Sequence, residues 1–308
     1  MSTIAYFGPQ GTFTEQAALT HARPADSLVP VATVPLALAA VRAGDADLAC
    51  VPVENSVEGA VSATMDALAV DDPLVAVAEV VLPVRFSVLV RPGLAAADVR
   101  TVASHPHALA QVQGWLAEHL GQATQAASNS TASAAVGVAA GDWDAAVTAP
   151  VAASHYPLDV LATGVADLEG AVTRFLLLRR PGELPTPTGS DRTSIVAVAA
   201  AERTGVLAEM LTELALRGIN LSRIESRPQK GRLGQYRFYL DFDGHVAEQR
   251  VGDALAALHR RCQQLRFLGS YPKARPTVSS ATGQVGNSDA DYTAAGEWLA
   301  AVRGGVTG

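Results

Sequence analysis

At 308 residues the chain has room for two ordinary domains, and 49% hydrophobic against 17% charged residues supplies a sizeable core and excludes a disordered polymer. A formal net charge of −7 without any run of Lys and Arg argues against a nucleic-acid surface, yet one or two local arginines could still hold a small anion. No apolar run approaches the ~20 residues of a spanning helix, Met1 opens no basic-then-apolar leader, and Cys50 and Cys262 have no metal-ligand spacing, so a cytoplasmic protein without membrane anchor, metal or disulfide framework is expected.

In chain order, Ile4–Phe7 reads as a short strand and Gly8-Pro9-Gln10-Gly11 as a turn. Thr12 with Glu15 three residues on fits a capping box that opens a helix through Leu19. The turn is either an ordinary strand-to-helix connection or a cradle of backbone N–H groups for a carboxylate. Residues 39–51 read as an alanine-rich helix, a Gly-Asp stop and an apolar strand, and 136–148 repeat that order. Both share the core Gly-Asp-x-Asp-x-Ala, at Gly44–Ala49 and Gly141–Ala146. Two similar α/β lobes follow, 4–73 with a returning segment and 98–153, with a ligand-sized cleft between them. Residues 74–90 are expected to form hinge strands into the second lobe, and the chain to cross back near 165–178.

Pro181–Gly189 is linker chemistry. Beyond it the pattern predicts a strand over 193–200, a helix over 205–217 stopped by Gly218, strands over 221–227 and 236–242, a helix over 246–265 and a strand over 267–271. That order is βαββαβ, the ferredoxin-like plan. From Ala274 the chain turns small and polar, a tail expected to be mobile with one helix over 292–302.

Five segments carry a resemblance: Gly8-Pro9-Gln10-Gly11-Thr12-Phe13, Pro52-Val53-Glu54-Asn55-Ser56, Ser104-His105-Pro106-His107-Ala108-Leu109, Asn129-Ser130-Thr131-Ala132 and Thr173-Arg174-Phe175. Ile224-Glu225-Ser226-Arg227-Pro228 follows them. In this order, over residues 4–272, the chain resembles the prephenate dehydratase family. The resemblance implies a catalytic body over 1–180, folded like type II periplasmic binding proteins, a linker over 181–192, and a ferredoxin-like ACT regulatory domain over 193–273. It implies prephenate as substrate, no cofactor, phenylalanine as inhibitor, and a homodimer or homotetramer with effector sites formed between chains.

Residue by residue, it implies Thr173, Arg174 and Phe175 as catalytic, with Thr173 serving the departing hydroxide and Arg174 a carboxylate. Thr12, Phe13, Glu54, Asn55, Ser56, Ser104, His107, Ser130 and Thr131 would meet substrate. Gly205, Val206, Leu207, Asn220, Leu221, Glu225 and Ser226 would meet the effector. Three positions depart from the pattern: His107 stands where relatives commonly have Gln, Glu169–Val172 lacks an Asn many place before Thr-Arg-Phe, and Val206 replaces Ala. A non-catalytic amino-acid sensor and arogenate dehydratase remain alternatives. Prephenate dehydrogenase does not, since no Gly-x-Gly-x-x-Gly follows the first strand.

Overall fold

Alanine and valine, which dominate this chain, suit buried parallel strands covered by closely packed helices. The computed structural model describes residues 1–201, 203–229, 232–276 and 286–306. They divide into two units, Met1–Asp72 with Val80–Arg180, and Pro73–Glu79 with Pro181–Gly308.

The first unit holds both lobes. In the first lobe β1 (Thr3–Phe7), α1 (Phe13–His21), β2 (Ser27–Val31), α2 (Val34–Ala43) and β3 (Leu48–Asn55) build a parallel β2-β1-β3 core. A short β4 (Gly59–Ala60) pairs with β3, and α3 (Ser62–Val70) follows it. β5 (Val75–Pro83) ends the passage through this sheet and β6 (Ser87–Val90) enters the next. There β7 (Thr101–Ser104), α4 (Pro106–Ala110), α5 (Gln113–His119), β8 (Thr124–Ala127), α6 (Thr131–Ala140), β9 (Ala145–Thr148) and β10 (Asp159–Thr163) form the second lobe. β11 (Val172–Arg179) returns to the first sheet, giving orders β2-β1-β3-β11-β5 and β10-β6-β9-β7-β8. The expected crossings lie at Val84–Phe86 and at 164–171.

The sequence echo is a structural duplication. α2 and α6 are each opened by a hydroxyl cap, Thr33 accepting from Leu36 N–H and Ser130 from Ser133 N–H. Each ends on a glycine at φ 90°, Gly44 and Gly141, a backbone region few side chains tolerate. The second aspartate of each echo then reaches the neighbouring parallel strand. Asp47 Oδ2 accepts Thr3 N–H at 2.8 Å, and Asp144 Oδ2 accepts Thr101 N–H at 3.0 Å.

The second unit realises the expected βαββαβ plan. It comprises β12 (Asp191–Ala199), α7 (Val206–Ala215), β13 (Leu221–Gln229), β14 (Arg232–Asp243), α8 (Gln249–Arg261) and β15 (Cys262–Pro272), with antiparallel sheet order β13-β14-β12-β15. Its core joins Met210, Leu214, Val251 and Leu258 of the helices to Ile195, Leu240 and Phe242 of the sheet. The helix predicted over 246–265 stops at Arg261. Cys262 onward pairs with β12, since Leu265 and Phe267 pack on this core and a basic last turn, His259–Arg261, suits a helix C-terminus.

Residues 73–79 also fold with this unit, whereas the sequence reading places them in the body over 1–180, with 74–79 among its hinge strands. Glu79, almost fully buried, pairs with Arg192 and accepts Ala274 N–H at 3.1 Å. Gly269, at φ +131°, passes so near Ala76 that a Cβ would collide with its backbone. In the tail α9 (Asp289–Arg303) starts with a capping box between Ser288 and Asp291, longer than the predicted 292–302. The polar stretch 277–285, part of the segment expected to be mobile, lies outside the described residues. No helix among the described residues is long and apolar enough to cross a membrane.

Candidate active site

Parallel sheets present ligands with the carboxyl ends of their strands, where loops lead into helix starts. β3 ends there at Asn55, and β11 begins antiparallel to it, so the register sets Thr173 opposite Asn55 and Arg174 opposite Glu54. Asn55 Nδ2 donates to Thr173 Oγ1 at 2.8 Å. Asn55 Oδ1 in turn accepts Val57 N–H at 2.8 Å and Glu58 N–H at 3.0 Å. Two backbone donors on the carbonyl oxygen fix which end of the amide faces Thr173. Thr173 Oγ1 is therefore an acceptor toward Asn55, and its own proton is aimed elsewhere as a donor. Ser56 closes the corner, with Ser56 N–H donating to Val172 O and Ser56 Oγ accepting Val172 N–H, both at 2.9 Å.

The β3–β11 ladder slips between Arg174 and Phe175, leaving Val53 as an extra residue on β3. A bulge re-aims the side chains around it, and here Thr173, Arg174 and Phe175 retain 9%, 8% and 1% exposure in succession. The Arg174 guanidinium lies 3.8 Å from the Glu54 carboxylate. Phe175 packs in the first lobe's core with Ile4, Tyr6 and Cys50. The half-exposed ring is Phe13, edge-on to Phe86 with centroids 5.6 Å apart.

Around the first turn, Thr12 Oγ1 accepts Glu15 N–H at 3.2 Å and donates to Phe7 O at 3.0 Å. The predicted capping box would return Glu15 to the Thr12 N–H. The carboxylate instead accepts Gly11 N–H at 2.5 Å and lies 3.0 Å from His155 Nε2 of the second lobe. Gly11 sits at φ +88°, which lets that N–H turn inward. One arm of the cradle is thus taken by the protein's own acid. The buried Tyr6 hydroxyl lies near Glu15 without a hydrogen bond of sound geometry, and burial first, then that charge, push its pKa up. Tyr156 Oη donates to Gln10 O at 2.6 Å, so the second lobe grips the turn twice. His155 and Tyr156 escaped the sequence reading because nothing local marks a partner some 140 residues away.

On the second lobe Ser104 is fully buried and donates to Val147 O at 2.6 Å, tying β7 to β9. His105 Nδ1 accepts His107 N–H at 3.3 Å, capping α4. Burial first, and then the neighbouring His107 charge, lower the His105 pKa, which favours the neutral ring this bond needs. His107 itself is exposed, with Nδ1 3.5 Å from Glu58 Oε2. Ser130 caps α6, and Thr131 begins it. Between Phe7–Pro9 and Asn129–Ser133 opens a cavity of about 740 Å³, the size of a small-molecule site. Thr173 and Arg174 do not line it.

The expected effector residues separate within one chain. Gly205, at φ +85°, starts α7 without a side-chain cap, and Val206 and Leu207 follow it half-buried. Val206 shares a cavity of about 210 Å³ with Tyr236, Gln229 and Gln235. Asn220 Nδ2 donates to Asp243 Oδ2 at 3.1 Å, and Leu221 pairs with Phe242 at the other end of the sheet. Glu225 and Ser226 lie between, opposite Tyr239 and Phe238. α7, ten residues or ~15 Å long, runs between Gly205 and the turn that leads to Asn220.

Residues 4–183 match the prephenate dehydratase family, and 194–261 match the ACT domain. The prephenate dehydratase of Amycolatopsis methanolica is 62% identical over 306 residues, 99% of both chains. Among solved structures, the prephenate dehydratase of Arthrobacter aurescens in complex with L-Phe is 43% identical, with a TM-score of 0.90 over 97% of this chain and 99% of that one. GqqA, described as a novel type of quorum quenching acylase, is 33% identical with a TM-score of 0.79, over 88% of this chain and 98% of its own.

Proposed function

The chain belongs to the prephenate dehydratase family, and from that premise we infer that it is a decarboxylating lyase converting prephenate to phenylpyruvate, inhibited by phenylalanine at its ACT unit. The single observation that carries the site assignment is the 2.8 Å hydrogen bond from Asn55 to Thr173. In prephenate the bond between ring and carboxylate breaks, and its electron pair enters the ring. The C–O bond across the ring breaks as well, and the departing oxygen takes a proton to leave as water. Aromatisation drives this, so the protein must chiefly orient the substrate and offer a proton donor. A hydroxyl whose oxygen is occupied by Asn55 presents its hydrogen outward, which suits that oxygen. Threonine resists ionisation, so it donates a hydrogen bond or relays a proton.

Arg174 grips the pyruvyl carboxylate with its planar fork, a geometry lysine cannot offer. The ring carboxylate faces a drier wall, for which half-exposed Phe13 is better placed than buried Phe175. Glu54, Ser56, Ser130 and Thr131 border the substrate, whereas Thr12 and Ser104 hold the strands and turns that shape the site. For regulation, the L-Phe complex of the Arthrobacter relative supports the same effector here. Since Gly205–Leu207 open α7 and Asn220–Leu221 lie beyond its far end, each effector site draws on two chains, as a homodimer or homotetramer would supply. We place the enzyme in the cytoplasm.

Thr173→Ala, with its fold verified by circular dichroism, is expected to lower kcat by ~10²–10⁴-fold, and Thr173→Ser to retain most of it. Near-normal turnover by Thr173→Ala removes the residue from the mechanism. Prephenate should outpace arogenate as substrate. Hydrolysis of an acylated signal molecule without any phenylpyruvate would move the chain to the acylase activity named for GqqA.

A further inference from the structure

Glu58 and His107 come from opposite lobes, and although the family resemblance implies His107 as a substrate contact, its imidazole stands beside Glu58. Glu58 lies on the turn that leaves β3, and His107 in the first turn of α4. Their carboxylate and imidazole stand 3.5 Å apart. The Glu58 backbone N–H is also one of the two donors that fix the Asn55 amide, and that amide orients Thr173. Whatever holds Glu58 therefore holds the turn on which the donor hydroxyl depends. The chain runs only three residues from Asn55 to Glu58, too few to absorb a displacement at one end without moving the other.

We propose that Glu58 and His107 are positioning residues, a pair reaching across the lobes that steadies the Asn55 turn against Thr173 and tightens when His107 is protonated. The proposal rests on the dehydratase reading. Histidine is the side chain that charges near neutrality, whereas a carboxylate is already ionised there. With the imidazole protonated the pair is ionic, and with it neutral that charge attraction is lost. Among the described residues, the ionisable groups facing His107 are Glu58 from the first lobe and His105 on its own helix, with ring centroids 4.9 Å apart. Burial first and then the His107 charge lower the His105 pKa, while the Glu58 carboxylate pulls it up.

The His107 and Glu58 side chains are 62% and 35% exposed, so water screens the pair and its effect is a modest factor. Phenylpyruvate formation is measured for wild type, Glu58→Gln, His107→Gln and the double variant, from about pH 8 to about pH 6, at low and high salt. The wild-type advantage in kcat over His107→Gln should grow about two- to fivefold toward the acid end and shrink in high salt. The double variant should be no worse than either single one, since both remove the same contact. If the effects of the two substitutions multiply, or if the advantage is flat with pH, the pair is not coupled and the proposal is wrong. A rise in KM for His107→Gln with Glu58→Gln silent would make His107 a direct substrate contact instead, which also overturns it. Wild-type protein that makes no phenylpyruvate removes the dehydratase reading, and this proposal with it.

Discussion

Asn55 does two separate things, and substitutions can pull them apart. Its carbonyl oxygen holds two backbone N–H groups, which is structural, and its amide nitrogen donates to the Thr173 hydroxyl, the contact that the proposed chemistry uses. Asn55→Asp keeps acceptors for the turn but replaces the donor with a charged oxygen. Thr173 would then turn its hydrogen toward residue 55 and away from substrate. Asn55→Asp should therefore melt close to wild type while losing ~10²-fold in kcat. Asn55→Ala should lose both, at a stability cost of about 1–2 kcal/mol for the backbone donors left unpaired. Equal kcat for wild type and Asn55→Asp, with calorimetry showing both folded, would separate Thr173 from its supposed orienting partner. The motif made Thr173, Arg174 and Asn55 readable in the sequence, because the family resemblance fixes those positions. It could not reveal Glu58 or the Glu15–His155 pair, whose partners meet only once two lobes are folded. Nor could it reveal that the bulge beside Val53 sends Phe175 into the core, since a bulge is set by pairing with a strand some 120 residues away.

At the scale of elements, the repeated Gly-Asp-x-Asp-x-Ala is the most legible feature, and its second aspartate does the same work in each lobe. Asp144 accepts Arg100 N–H at 2.9 Å, Thr101 N–H at 3.0 Å and the Thr101 hydroxyl at 3.1 Å, and pairs with Arg91 at 2.6 Å. Burial works to raise its pKa, but the hydrogen bonds from Arg100 and Thr101 and the charge of Arg91 outweigh it and hold the pKa below the ordinary carboxylate range. A depressed folded pKa means stability that is present above the unfolded value near ~4 and lost as pH falls through the folded one. Asp144→Asn should thus lower Tm by about 2–4 °C at neutral pH, corresponding to ~1 kcal/mol in a chain this long. The gap to wild type should close in acid, below the folded pKa. A gap that persists unchanged in acid would show that shape, not charge, is what Asn lacks. The strand-helix alternation of both lobes was equally readable, because local caps such as Thr33 and Ser130 and the αL glycines are written in neighbouring residues. The end of α8 was not. Helical and strand patterns overlap across 262–265, and only pairing with β12, more than 60 residues earlier, decides between them.

For the whole molecule, the linker at Pro181–Gly189 suggests a catalytic body that could be cut away after Arg180, and packing argues against it. Residues 73–79 belong to the second unit although they precede most of the first. Val75 and Ala76 are buried there, Glu79 has its salt bridge to Arg192, and Gly269 gives Ala76 the room it needs. A chain ending at Arg180 keeps every motif of the proposed site but strips this segment of Arg192 and of β15. What remains is an apolar strand segment with bare edge groups, the kind of surface that recruits another chain. The truncated protein should therefore elute as aggregate or melt several degrees below the full chain, at ~2–4 °C per kcal/mol lost. The same surface can be tested without truncation. Gly269→Ala places a methyl against the Ala76 backbone at a φ that L side chains avoid, and should cost about 2–4 kcal/mol in the full chain. It leaves every residue of the β3–β11 corner in place, so kcat measured well below the melting transition should stay near wild type. A truncated chain that is monodisperse, with the full chain's Tm and turnover, would mean that 73–79 needs nothing from the second unit.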